Sequence, residues 1–225
     1  LHNAKKAGSP MVNIVGEHAT YHIEYDAPLT ADIEGIAAPM SHWVHTSRSA
    51  ADVAAAGARA VEMARTAPGQ IATLILPADT AWNEGGPVVT AAVSAGHAKV
   101  GDAQISSVMK ILRSGEPTLL YLTGHALRQE GLEAASRIAE ATGAKVMAQW
   151  SNARLQRGAG RPSISRVPFV VDQALDILKE FKHVILVGTK PPVAFFAYPN
   201  KPSLLAPESC EMLTLSGLEE DGIHA

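Results

Sequence analysis

The sequence predicts an α/β fold with parallel sheets, arranged as two successive units. Short apolar runs rich in β-branched residues alternate with segments whose apolar residues recur at helical spacing. This alternation stops across a stretch of small residues, glycine and proline, and then restarts. A strand–helix–strand order is typical of parallel βαβ arrangements, and 225 residues are enough for two such units.

The first predicted unit covers residues 1–85 and contains one long helix. Ser49 is a suitable N-cap for this helix, and Pro68-Gly69 ends it. Proline and glycine interrupt the segment 27–40, so we expect mostly irregular structure there. The predicted elements are, in order, a strand over 11–15, a short helical turn after residue 30, a brief strand over 41–44, a helix from residue 49 to about 67, and a strand over 71–76.

Residues 86–102 are the predicted connection, and residues 103–225 are the second unit. The order of elements in this unit predicts a doubly wound, Rossmann-like sheet. Gly143 is expected to end its longest helix. Its predicted elements are helices over 103–113, 127–142 and 171–181, strands over 118–122, 145–149, 183–187 and 212–215, and a surface loop over 152–165.

The composition excludes several classes of protein. With 47% hydrophobic and 18% charged residues and a net charge of −3, the chain has no polybasic signature, so we expect neither nucleic acid nor membrane as a partner. No apolar run approaches the roughly 20 residues of a membrane span. Cys210 is the single cysteine, which rules out an intramolecular disulfide and a Cys-based zinc site. We therefore expect a cytoplasmic protein.

Nine histidines raise the question of a metal site. His18 and His22 have the i, i+4 spacing of helical zinc ligands, but a helix is not expected there and no HExxH motif occurs. His42 and His45 are expected to be exposed or locally hydrogen-bonded. The sequence therefore predicts no metal site.

A strand-to-helix turn at Thr123-Gly124-His125 stands where a nucleotide-binding fold would hold phosphate. It has one glycine and no GxGxxG pattern, which favours a structural turn over a dinucleotide site. Lys190 follows another strand and has no Walker pattern around it, so a plain loop is expected. A nucleotide-binding Rossmann protein remains an alternative, with its ligand at Gly124.

Three segments together resemble the thiamine-diphosphate-dependent enzymes of the acetolactate synthase large subunit and benzoylformate decarboxylase types. These segments are LHNAKKAGSPMVNIVGEH, then DAPLTADIEGIAAPMSHWVHTSRSAADVAAAGARAVEMARTAPGQIATLILPADTAW, and later HVILVGTKPPVAFFAYPNKPS. The resemblance implies that residues 1–85 are the C-terminal part of a pyrimidine-binding domain. It implies that residues 103–225 are a C-terminally truncated middle domain.

The resemblance also implies a chemistry. The complete enzyme would use thiamine diphosphate and Mg²⁺ on a 2-oxo acid, with decarboxylation followed by protonation or carboligation. The glutamate that activates the cofactor in this family has no counterpart here, and neither does the Gly-Asp-Gly motif with its later Asn. Gly101-Asp102-Ala103 is only a partial match. We therefore identify no catalytic residue and expect this segment alone to be inactive. FAD is not implied, because the Gly124-His125 turn departs from the family's FAD pattern.

The residues expected to face substrate or cofactor are Gly16, Glu17 and His18, which resemble the family's loop after this strand. Gly8 stands where some decarboxylases have histidine, which favours the acetolactate synthase-like branch. Family members are homo-oligomers, dimers or tetramers, with active sites between subunits. A noncatalytic assembly or scaffold module is the alternative, and it predicts exposed apolar surface on residues 1–80.

Overall fold

The computed structural model describes residues 1–225, which form two units, Leu1–Gly96 and His97–Ala225. The boundary lies inside the segment 86–102, and its last residues pack with the second unit. Ala98 forms a β-bridge with Glu220, and Val100 is buried. The assignment of the units as pyrimidine-binding and middle domains stays a prediction.

The first unit is a three-stranded parallel sheet in the order β1-β3-β2. This confirms the parallel βαβ arrangement, because the long helix connects β2 to the central strand β3. Every predicted element is present, with ends shifted by a few residues. The elements are α1 (His2–Ala7), β1 (Met11–Glu17), a 3₁₀ turn (Ile23–Tyr25), α2 (Ile33–Ala37), β2 (Trp43–Thr46), α3 (Ala50–Arg65), β3 (Ile71–Pro77) and α4 (Asp79–Trp82).

Strand β3 is almost wholly buried, since it has a neighbour on each side and α3 packs on it. Ala60 and Ala64 of α3 pack against Ala72, and these small side chains let the helix approach closely. Strand β1 is different because it lies at the edge of the sheet. Its Val12 and Ile14 are 36% and 65% exposed, so one apolar face of β1 is not covered within this unit.

The second unit is a five-stranded parallel sheet in the order β6-β5-β4-β7-β8. Counted from its first strand, this is the order 3-2-1-4-5 of a doubly wound sheet, which confirms the predicted Rossmann-like fold. The elements are α5 (Asp102–Leu112), β4 (Thr118–Leu122), a 3₁₀ turn (Gly124–Leu127), α6 (Gln129–Thr142), β5 (Lys145–Ala148), β6 (Ser165–Arg166), α7 (Val171–Leu178), β7 (His183–Val187) and β8 (Glu211–Ser216).

Three details differ from the sequence expectation. The helix predicted over 171–181 ends earlier, at Leu178. The helix predicted from Leu127 begins at Gln129, because residues 124–127 form a separate 3₁₀ turn. The loop predicted over 152–165 ends in the short strand β6, whose two residues are exposed and therefore carry no apolar pattern.

The core of this unit lies on both faces of the sheet. Strand β4 sends Leu120 and Leu122 into one cluster, where Leu132 of α6 joins them. Its alternate residues Leu119 and Tyr121 enter the other cluster, against Leu178 of α7. This explains why β4 is a continuous apolar run rather than an alternating one. No helix in the structure has both the length and the apolar composition required to cross a bilayer.

Candidate functional site

The carboxyl end of β1 opens onto a cavity of about 630 Å³ within the first unit. Gly16, Glu17 and His18, the three residues expected to face a ligand, all line it. Its volume lies in the range of roughly 300–1,000 Å³ that is usual for small-molecule sites. The structure therefore brings the predicted residues together at one cavity.

Strand pairing fixes where these residues lie. Gly16 pairs with Leu76 and Glu17 with Pro77, so β1 and β3 end side by side at one edge of the sheet. The Ala78 amide then donates to the Glu17 carbonyl oxygen at 3.0 Å, which holds the two chain exits together. Ligands of open parallel sheets usually bind at this carboxyl edge.

A side-chain clamp joins the two turns that leave β1 and β3. The Asp79 carboxylate accepts a hydrogen bond from the Thr20 amide at 2.9 Å and another from the Thr20 hydroxyl at 2.6 Å. These bonds, the hydroxyl's first, lower the pKa of the Asp79 carboxyl. The clamp fixes the short turn that carries His18 and His22.

Glu17 and His18 differ in how their polar atoms are satisfied. The Glu17 carboxylate accepts a hydrogen bond from the His18 amide at 2.6 Å, so one carboxylate oxygen is engaged by its own chain. The His18 Nε2 atom is buried and has no hydrogen-bond partner. A buried polar atom without a partner costs roughly 1–3 kcal/mol, and a bound ligand that supplied one would recover this cost.

The i, i+4 spacing of His18 and His22 comes from a turn and not from a helix. The His22 amide donates to the Ala19 carbonyl oxygen at 2.7 Å, and the two imidazole ring centres are 5.4 Å apart in an edge-to-face arrangement. Nowhere in the chain do three or more His, Cys, Asp or Glu side chains converge as a metal site would require. The histidine pair is thus a feature of the cavity wall, with no third ligand beside it.

Large apolar side chains form the other part of the cavity wall. Tyr21, Leu29 and Trp82 line it, and they are 63%, 81% and 67% exposed. No periodic pattern marks them in the sequence, because Tyr21 and Leu29 lie in turns and Trp82 ends the four-residue helix α4. The residue type of Trp82 is the one signal in this set that the sequence offers, because tryptophan is enriched at binding surfaces.

His42 and His45 lie away from this cavity lining, and each has a local hydrogen-bond partner. The His42 Nδ1 atom accepts from the Ile71 amide at 3.0 Å. The His45 Nε2 atom lies 2.8 Å from the Asp52 carboxylate, and this bond is the main cause that lowers the pKa of Asp52. Both imidazoles therefore have local hydrogen-bond partners, which is one of the two arrangements that the sequence predicts.

The Gly124 turn in the second unit has a positive φ of 60°, which suits glycine. The His125 ring stands against the His97 ring, with centres 4.5 Å apart. Burial, followed by the positive charges of neighbouring groups, lowers the pKa of His125. Lys190 is exposed and belongs to no ion pair. Nucleotide binding at this turn stays a prediction.

Comparison with known proteins confirms the resemblance to thiamine-diphosphate enzymes. The Mycobacterium tuberculosis protein IlvX, whose name assigns it provisionally to the acetolactate synthase large subunits, is 44% identical over 216 residues. Those residues are 96% of this chain and 41% of IlvX, so the chain spans less than half of that relative's length. No protein-family model matches the chain.

Two solved structures show the same fold. The thiamine diphosphate-dependent 4-hydroxybenzoylformate decarboxylase of Rhodococcus jostii RHA1 matches with a TM-score of 0.77 at 20% identity, over 99% of this chain and 42% of the other. The benzoylformate decarboxylase of Polynucleobacter necessarius matches with a TM-score of 0.74 at 19% identity, over 97% of this chain and 43% of the other. At these identities the structures establish the fold.

Proposed function

We propose that this chain, which resembles thiamine-diphosphate enzymes in sequence and in fold, is part of an enzyme that decarboxylates a 2-oxo acid. After loss of CO₂, the remaining part of the substrate is protonated, as in a decarboxylase, or joined to a second carbonyl compound, as in the acetolactate synthase-like branch. The observation that supports this proposal best is the buried, unpartnered His18 Nε2 atom at the cavity where β1 ends.

In this proposal His18 contributes a hydrogen bond to the substrate or cofactor. A 2-oxo acid presents a carboxylate and a carbonyl oxygen, and each accepts a hydrogen bond from an imidazole N–H. The His18 amide donates a hydrogen bond to one oxygen of the adjacent Glu17 carboxylate. The second carboxylate oxygen is left to accept a hydrogen bond from the ligand. Gly16 has no atom within 4 Å of a Cβ built on it, which leaves room for a ligand to approach the strand end.

Thiamine diphosphate, when bound, supplies the carbanion chemistry of the reaction. The residues that line the cavity suit contacts to thiamine diphosphate, but the chain has no convergent set of carboxylates or histidines that would hold Mg²⁺. We therefore assign no metal ligand and no proton-transfer step to these residues. The expectation that the segment is inactive by itself rests on the cofactor-activating glutamate and the Gly-Asp-Gly motif, neither of which has a counterpart in this sequence.

The test is steady-state kinetics of a His18→Asn variant in the gene product that contains this chain, with 2-oxo acids as substrates. Asparagine keeps a hydrogen-bonding group, but its shorter side chain does not reach the position of Nε2, so kcat/KM is expected to fall about ten- to hundredfold. His2→Asn is the matched control, since His2 is exposed and bonded only to Asn3. A His18 variant with unchanged kcat/KM would refute the assignment of His18.

A second candidate function, an assembly module, is favoured by the uncovered face of β1. Val12 and Ile14 are exposed side by side on an edge strand, and Ile36 of α2 is 71% exposed. An exposed apolar face on an unpaired strand edge is a usual place for another chain to bind. In this proposal, residues 1–80 pair with a second polypeptide and contribute no chemistry of their own.

A further inference from the structure

The second unit carries a basic loop that has no acidic partner. No Asp or Glu occurs between Glu140 and Asp172, whereas four arginines fall in this interval. We call residues 154–166 the arginine loop; its arginines are Arg154, Arg157, Arg161 and Arg166. All four are exposed, and none of them belongs to an ion pair.

The arginine loop is held against the body of its unit. The Gln156 amide donates to the Leu127 carbonyl oxygen at 3.1 Å. The Gln156 Oε1 atom in turn accepts from the Gln129 amide, at the start of α6, at 2.6 Å. Leu155 and Ile164 pack on the core cluster below. These contacts anchor the loop near both ends, so its arginines are presented from a fixed base.

Between these anchors the loop encloses a cavity of about 470 Å³. Arg157, Arg161 and Arg166 all line it. Gly158 and Gly160 have φ angles of 127° and 76°, which reverse the chain between Arg157 and Arg161 and bring both to one cavity. The only hydrogen bond of these guanidinium groups is a long one, from Arg161 Nη1 to the Arg157 carbonyl oxygen at 3.4 Å.

A fifth arginine, Arg128, lies close to the arginine loop. Arg128 lies directly before α6, and its Nη1 atom is buried without a hydrogen-bond partner. Burial, followed by the charge of Arg154, lowers the pKa of the Arg128 guanidinium. Two guanidinium groups held near each other without a carboxylate repel each other, and an anion between them would relieve this.

We propose that the arginine loop binds the diphosphate group of a small molecule. Guanidinium groups bind phosphate oxygens in pairs, through two parallel N–H···O bonds. Three arginines around one cavity, with Arg154 and Arg128 beside them, match an anion of several charges better than a single carboxylate. This site lies in the second unit and is separate from the β1 cavity, so it goes beyond the function proposed above.

The test is a calorimetric titration of the 225-residue chain with inorganic pyrophosphate at low salt, without Mg²⁺ or thiamine diphosphate. The unaltered chain is expected to bind one pyrophosphate, and the double variant Arg157→Gln, Arg161→Gln to bind it at least about tenfold more weakly. The double variant Arg113→Gln, Arg137→Gln is the control. It removes the same charge from two exposed arginines of the same unit that also lack ion pairs.

The outcomes separate a site from a general charge effect. Binding lost in the loop variant and retained within about twofold in the control supports the proposal. Equal loss in both variants, or no binding to the unaltered chain, overturns it. Circular dichroism checks that both variants are folded. The single variant Arg166→Gln is a further test of the cavity. ADP that binds as pyrophosphate does assigns the site to the diphosphate group alone, and tighter binding of ADP assigns it to a nucleotide.

Discussion

At the scale of single residues, the cavity wall combines Gly16, Glu17 and His18, which the resemblance identified, with apolar side chains that it did not identify. His18 was identified because the chain after β1 resembles a family loop, and the structure adds that its Nε2 atom is buried without a partner. Tyr21 and Trp82 escaped notice because their position at the cavity depends on turns. Turn geometry follows from tertiary contacts such as the Thr20–Asp79 clamp, which no periodic pattern encodes.

Alanine substitutions of two glycines are expected to differ in their effect on the free energy of unfolding. A Cβ on Gly131 of α6 would lie 2.6 Å from the Ala126 carbonyl oxygen, whereas a Cβ on Gly16 meets nothing within 4 Å. Gly131→Ala is therefore expected to lower the free energy of unfolding by about 1–3 kcal/mol, although alanine favours a helix. Gly16→Ala is expected to leave it within about 0.5 kcal/mol. Urea unfolding of both variants checks this, and equal stabilities would contradict the close approach at Gly131.

At the scale of elements, the sequence predicts existence and type well and predicts boundaries less well. Strands β4 and β7 have the predicted bounds, because a buried parallel strand is a continuous apolar run between polar residues. The start of α6 was placed two residues early, since the 3₁₀ turn before it also buries Leu127. Leu132, which is fully buried in the core, lies on the inward face of α6 together with Gly131 and Ala135.

Leu132 gives a direct test of how α6 packs. Its side chain is fully buried and lies in the cluster with Leu120 and Leu122 of β4. Leu132→Ala is expected to lower the free energy of unfolding by about 2–5 kcal/mol, because it leaves a cavity in a packed core. Ile138→Ala, at a half-buried position of the same helix, should cost less. An Ile138 variant less stable than the Leu132 variant would show that the helix is rotated.

The clamp between the turns after β1 and β3 predicts a pH dependence. The folded-state pKa of Asp79 is lowered, so its stabilising effect is present above the ordinary carboxyl pKa of about 3.9 and is lost as pH falls through the folded value. The melting temperature of Asp79→Asn should therefore lie below that of the unaltered chain at pH 6, and the gap should close below about pH 4. Glu84→Gln, which alters an exposed acid beside α4, is the control. A gap that stays constant down to pH 2.5 would contradict the clamp.

At the scale of the whole molecule, both sheets are parallel, as the alternation of strands and helices predicts. What the sequence could not supply was which faces stay uncovered. Val12 and Ile14 belong to an apolar run that predicts a buried strand, yet both are exposed, because nothing in this unit covers the face of β1 to which they point. A pattern of apolar residues indicates that a strand face is buried, but it does not identify the chain that buries it.

This uncovered face predicts self-association of the isolated 225-residue chain. Light scattering after size exclusion is expected to show a mass that rises with concentration, and Ile14→Glu is expected to reduce it. Val93→Glu is the matched control, since Val93 is 99% exposed and lies outside the sheet. A monomer at all concentrations, or equal effects of the two substitutions, would argue against β1 as an association surface.

If these residues serve a thiamine-diphosphate enzyme, the complete gene product must bind that cofactor. The intact mass of the product of the native gene is determined, and that product is titrated with thiamine diphosphate in the presence and absence of Mg²⁺ by calorimetry. Saturable, Mg²⁺-dependent binding is expected, because a hard cation is required to hold the diphosphate. A folded product that binds no thiamine diphosphate under either condition would show that these residues do not belong to such an enzyme.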